Sequence, residues 1–195
     1  PSGFSIRGET YDEVEAIFGQ TPQRVFPRFN EFSAAVTDVA TRLEAGSAPE
    51  RDERLAKVWK AVGTLGGGNH FVEIDKGDDK SLWLVIHSGS RNFGLRIATH
   101  HQKIAISNLG KMGGLEYLEG AERDQYVADM KVAQVYAALN RRVMAHALLD
   151  YFDQKLADTS IIESVHNYIN FEDNVIRKGA ISAHEGEKVI IPLTM

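Results

Sequence analysis

Three of the seven histidines share a local pattern that suits metal chemistry. His70 follows three consecutive glycines in GTLGGGNHFVEI (63 to 74), His87 ends the strand-like run LWLVIH ahead of the small-residue turn SGSR, and His166 opens HNY in another strand-like segment. A neutral imidazole at a strand end is a natural ligand for a borderline divalent ion, because the sheet fixes the ring while the adjoining turn leaves room for substrate. Three converging rings would make a metal site. Any one of them alone reads more readily as a hydrogen-bonding surface or core histidine than as a ligand. That plain reading is kept for His100, His101 and His146, which fall in helical patterns, and for His184, beside a turn. Cysteine is absent, so thiolate ligands, disulfides and a Cys nucleophile are excluded, and any metal must rest on His, Asp, Glu or Asn.

The surroundings of these histidines suit phosphate. Consecutive glycines at 66, 67 and 68 let backbone amides approach an anion or hold a side chain against a ligand; a flexible strand connector is the competing reading. Ser88, Ser90 and Arg91 after His87 offer two hydroxyls and a forked guanidinium, matched to phosphate oxygens, unless this is a solvated loop with an incidental Arg. Arg177 and Lys178 in RKGA are further candidates, although paired basic residues in an exposed turn are ordinary. Strand alternation places Asn69 and Glu73 on one face and His70 on the other, so Asn69 and Glu73 can meet one ligand while His70 reaches a second. A nucleotide beside a metal would suit that division.

The elements that must position these groups follow from periodicity. Residues 31 to 60 carry apolar residues at helical spacing interrupted by AGSAPE, which predicts two helices joined by a turn. HFVEI (70 to 74) and LWLVIHSGS (82 to 90), separated by DKGDDK, predict a hairpin. Its antiparallel pairing would set the start of the first strand, with Asn69 and His70, beside the end of the second, with His87. LRIATHHQKIAISN predicts a helix, and residues 121 to 157 carry the longest helical pattern, through Val127, Met130, Val135, Leu139, Val143, Leu148 and Phe152, with a break expected near Asn140. The tail from Ser164 returns to short strands. The predicted class is α+β with mainly antiparallel pairing, since the order lacks regular β-α-β alternation. Residues 1 to 195 read as one partial domain: a mainly helical lead-in (1 to 60), the hairpin with its motifs (61 to 96), a helical block (97 to 158) and C-terminal strands (159 to 195).

With 195 residues, 43% of them hydrophobic, the chain can bury a core of its own. The net charge of −5 argues against a blanket electrostatic grip on nucleic acid while allowing a local basic groove. No run of 18 apolar residues and no signal-peptide pattern occurs, so the expectation is a soluble, cytoplasmic protein without membrane partners. The chain opens on Pro1 rather than on a methionine and stops at LTM, ending in Met195, just after a strand-like run, so both ends read as cut.

GTLGGGNHFVEI, VIHSGSRNFG, SVHNYINFE and IRKGAISAHEGEKVIIPLTM resemble, in order, the central portion of the RtcB family of RNA-splicing ligases, strongly from about residue 60 onward and weakly before it. The resemblance implies an RtcB-like fold and an enzyme that uses GTP and two manganese ions. Such an enzyme joins RNA 2′,3′-cyclic phosphate or 3′-phosphate ends to 5′-hydroxyl ends through a guanylated histidine. It implies metal ligation by His70, His87 and His166, nucleotide contacts from Asn69, Glu73 and Asn167, RNA or phosphate contacts from Arg91 and Ser90, and an archease-like activator as partner. The family's DIGCGM-like and HGAGR-like motifs, with the bridging Cys and the guanylated His, do not occur in these 195 residues. The resemblance places the first of these motifs before Pro1 and the guanylated His beyond Met195. No catalytic nucleophile is therefore assigned here, and the isolated chain is expected not to ligate. IPLTM stands where many members read IPGSM, so Leu193 and Thr194 alter a nucleotide-contacting loop, in which the Thr194 hydroxyl can still bond.

Two other readings stay open. Calcineurin-like phosphoesterases also carry a GNH ligand motif, but their Asp-x-His, Gly-Asp-x-x-Asp and Gly-His-x-His elements are missing. A non-catalytic metal or RNA-end binding module would keep the three histidines and perform no transfer.

Overall fold

The computed structural model of the chain describes residues 29–43, 48–154, 161–170 and 175–186. They fall into two compact units divided after Lys155.

In the first unit the two predicted lead-in helices form as α1 (Phe29–Arg42) and α2 (Ala48–Lys60). Helix α1 buries Phe32, Val36, Val39 and Ala40, the four-three-one spacing that lines one helix face. The hairpin is β1 (Phe71–Lys76) against β2 (Leu82–His87), antiparallel, in the register Phe71 opposite His87 and Glu73 opposite Val85. Its turn closes through Gly77 N donating to Ser81 O at 2.8 Å, with Lys80 in the left-handed region at φ 69°.

Helix α3 (Arg91–Leu109) follows at once and buries Phe93, Ile97, His101 and Ala105, four residues apart in each step. Helix α4 (Gly120–Tyr151) is continuous, and no break occurs at Asn140. The carboxamide of Asn140 finds partners outside the helix, so the residue does not compete for the helix's own backbone bonds. Tyr136, Leu139 and Val143 of α4 pack with Phe93 and Ile97 of α3, with the α1 residues, and with Val58 and Val62 at the end of α2. Each such fully buried side chain contributes about 1.5–3 kcal/mol. Phe93 meets Tyr136 at 5.2 Å between ring centres, and the Tyr136 hydroxyl donates to Val58 O.

One polar cluster crosses this core. Asp129 of α4, almost fully buried, accepts from Arg42 Nη1 at 3.2 Å and Nη2 at 2.7 Å and from Gln125 Nε2 at 2.9 Å, while His101 Nε2 lies 2.9 Å from its other edge. Burial alone would push the Asp129 carboxyl up, but the bonds from Arg42, His101 and Gln125 outweigh it and hold the carboxyl below its ordinary range. His101 is thus a core histidine that ties α3 to α4.

The second unit contains an antiparallel pair, β3 (Asn167–Asn170) and β4 (Val175–Lys178), with Asn167 opposite Lys178 and Tyr168 opposite Arg177. The observed elements are helices with small antiparallel sheets, the α+β class expected. Among the described residues no helix is long and apolar enough to cross a membrane.

Candidate functional site

The hairpin register brings the two motif-bearing ends together. His87 closes β2 opposite Phe71, His70 immediately precedes β1, and the two imidazole centres are 5.9 Å apart. Phe71 meets the His87 ring edge-on at 5.1 Å. Because β1 begins at Phe71, Asn69 and His70 lie in the approach to the strand, where alternation does not assign faces. Asn69 is exposed, and Glu73 is half-buried on the strand itself.

The approach is built around the Leu65 carbonyl. Ser88 Oγ and Arg91 Nη1 each donate to Leu65 O at 2.9 Å, and His70 Nδ1 lies 2.9 Å from the same oxygen. Arg91 Nε also donates to Thr64 Oγ1 at 3.3 Å, and its Nη1 lies 3.1 Å from His70 Nδ1. Gly66 makes this possible. Its φ is +84°, and a Cβ there would fall 1.5 Å from Arg91 Nη1, so the guanidinium occupies space that any other residue at 66 would fill.

Arg91 therefore turns inward onto the glycine loop, using Nε and Nη1 there and leaving Nη2 for another acceptor. Its own backbone is in the left-handed region, φ 57°, at the first residue of α3. Ser90 stands before the helix without a side-chain capping bond, its Oγ over Gly94, where an added Cβ would sit 2.2 Å away.

Asn140 is the residue that sequence reasoning missed. It is fully buried on α4; its Oδ1 accepts from Thr64 N at 3.1 Å, and its Nδ2 reaches Thr64 O at 3.2 Å, Ser88 Oγ at 3.0 Å and Gly89 O at 3.3 Å. Arg141 Nη1 adds a bond to Ser88 O at 3.2 Å. The signal that could have found it is an amide on the buried stripe of Tyr136, Leu139 and Val143, since a buried polar side chain needs partners.

In the second unit, His166 is half-buried and its carbonyl accepts from Ala180 N at 3.1 Å. Asn167 Oδ1 accepts from Gly179 N at 2.9 Å, closing the turn after β4, and Arg177 lies over the Tyr168 ring at 5.7 Å. Lys178 is exposed. Leu193, Thr194 and Met195 lie outside the described residues, so the nucleotide-contacting loop expected at 193 and 194, and the continuation toward a guanylated His expected beyond Met195, have no structural counterpart here. His70, His87, Asn69, Glu73, Ser90 and Arg91 thus belong to the first unit and His166 and Asn167 to the second.

Among the described residues no group of three or more His, Asp or Glu is arranged to hold a metal ion. The spacing of His70 and His87 is nevertheless compatible with a shared ion at a wide nitrogen–metal–nitrogen angle. A metal–nitrogen bond of about 2.1 Å sets each ring centre about 3.3 Å from the ion, so two rings on one ion can be centred up to about 6.5 Å apart. The observed 5.9 Å falls within that limit.

Comparison with known proteins agrees with these motifs. The family model described as tRNA-splicing ligase RtcB matches residues 7–195. An RNA-splicing ligase RtcB from Escherichia coli strain K12 is 34% identical, across 70% of this chain and 39% of that protein. An RNA-splicing ligase RtcB from Mycobacterium tuberculosis is 26% identical, across 77% of this chain and 46% of its own length. A tRNA-splicing ligase RtcB from Pyrobaculum aerophilum is 27% identical, across 62% and 31%. The chain spans less than half the length of these curated relatives. No solved structure matches it.

Proposed function

This chain belongs to the RtcB family of tRNA-splicing ligases, and we propose that it is the central part of an RNA ligase. That enzyme joins a 3′-phosphate or 2′,3′-cyclic phosphate RNA end to a 5′-hydroxyl end with GTP and manganese, through a guanylated histidine whose HGAGR-like motif these 195 residues, Pro1 to Met195, do not contain. The observation that carries this reading is the approach of His70 and His87 to 5.9 Å at the mouth of a hairpin, inside the matched segment.

His70, His87 and His166 would hold manganese, which when bound supplies neutralisation of charge on phosphoryl oxygens. The chain's own groups orient the reacting ends. His87 ends β2, where its pairing with Phe71 limits its movement, and His70 immediately precedes that paired strand. Arg91, anchored through Nε and Nη1, presents Nη2 to an RNA phosphate oxygen, with Ser90 beside it. Asn69, Glu73, Asn167 and Thr194 would contact the guanylate. Asn167 spends its Oδ1 on Gly179 N, which leaves its amide N–H groups to donate to phosphate.

Titration of the chain with manganese, followed by the paramagnetic resonance of the free ion, tests the reading. Binding weakened in each of His70→Ala, His87→Ala and His166→Ala is the expected result. Equal binding in all three variants and the parent would overturn the ligand assignment.

A further inference from the structure

The carboxamide of Asn140 has only one orientation that satisfies its surroundings. Thr64 N can only donate, so Oδ1 must face it, and Thr64 O and Gly89 O can only accept, so Nδ2 must face them. Ser88 Oγ is then an acceptor toward Nδ2, and its single hydrogen is committed to Leu65 O, 2.9 Å away. Thr64 and Ser88, from loops on either side of the hairpin, are thereby locked to one buried residue of α4, and Ser88 in turn bonds the Leu65 carbonyl. That carbonyl faces His70 Nδ1 at 2.9 Å. A carbonyl oxygen never donates, so the 2.9 Å contact to Leu65 O puts the ring proton on Nδ1; the competing arrangement, with Nδ1 accepting from Arg91 Nη1, has the longer contact, 3.1 Å, while Nη1 already donates to Leu65 O at 2.9 Å. The lone pair is then on Nε2. Gly89 is a neighbour of that nitrogen: a Cβ there would stand 3.8 Å from Nε2.

We propose that Asn140, acting through Ser88 and the Leu65 carbonyl, is a positioning residue that holds His70 as the Nδ1–H tautomer and aims Nε2 at the metal. The metal half of this statement rests on the ligand reading given above; the tautomer half does not. Partners of this kind fix ring orientation and strengthen ligation, and their loss typically costs ~10- to 100-fold in metal affinity.

Two measurements on the 195-residue chain decide it. Imidazole nitrogen NMR of the metal-free protein should show His70 protonated on Nδ1, with a mixture of tautomers in Asn140→Leu and Ser88→Ala. Manganese affinity should fall about tenfold in Asn140→Leu and several-fold in Ser88→Ala. A parent protein with the His70 proton on Nε2 overturns the proposal. So does a folded Asn140→Leu that keeps both tautomer and affinity, the behaviour of a purely structural core residue. If Asn140→Leu does not fold, Ser88→Ala decides by the same two readouts, since it removes only the hydroxyl. An unchanged manganese affinity in His70→Ala would instead sink the ligand reading, with the tautomer result standing on its own.

Discussion

Gly66→Ala is the substitution whose cost the structure specifies most fully. The backbone at 66 has φ +84°, and an L side chain in the left-handed region costs about 1–2 kcal/mol. The new Cβ would also lie 1.5 Å from Arg91 Nη1 and 2.0 Å from Cζ, so the guanidinium must leave. Its bond to Leu65 O is then lost; a hydrogen bond from a charged donor is worth about 1.5–3 kcal/mol, and the lower end applies because the half-exposed Arg91 regains water. The sum is about 3 kcal/mol. Urea denaturation of the single and double variants separates the two parts. In an Arg91→Ala background only the backbone strain remains, so Gly66→Ala should cost about 1–2 kcal/mol there, a coupling of about 1.5 kcal/mol. A Gly66→Ala cost that is the same in both backgrounds would refute the claim that Arg91 occupies the space over Gly66.

Further outcomes follow from the core and from the motifs. Tyr136→Phe removes the side-chain donor to Val58 O, which keeps only the longer bond from Ala61 N, and should lower stability by about 0.5–1.5 kcal/mol in urea denaturation; no loss would contradict the buried bond. The Asp129 carboxyl titrates lower in the folded chain than unfolded, so its stabilisation is full above the ordinary carboxylate value and is lost as pH falls below about 4 toward the folded value. Asp129→Asn should therefore remove part of the acid-side slope of stability against pH, and an unchanged slope between pH 6 and 3 would argue against the cluster. Incubation of the chain with labelled GTP and manganese should give no covalent guanylate, since the HGAGR-like motif is absent from Pro1 to Met195; a stable adduct would show that the nucleophile lies among these residues.

Much of the scaffold is legible in the sequence because its causes are local. β-Branched and aromatic runs around a turn mark the hairpin, and the antiparallel rule then places His70 beside His87 without any coordinates. Alternation fails at Asn69 because the glycines delay the strand to Phe71. Asn140 reads as a helix break because its partners, Thr64, Ser88 and Gly89, are 51 to 76 residues away. The inward turn of Arg91 depends on an empty position at Gly66, and the pairing of Asp129 with His101 and Arg42 depends on how α1, α3 and α4 meet. Such side-chain partnerships are set by tertiary packing and leave only a polar letter in an apolar stripe as their trace.

The most direct test of the central claim is a crystal of the chain soaked in manganese and read by anomalous scattering. A peak is expected about 2.1 Å from His70 Nε2 and within bonding distance of His87 and His166. Well-ordered His70, His87 and His166 rings, with no peak near them or with His166 far from the other two, would contradict it.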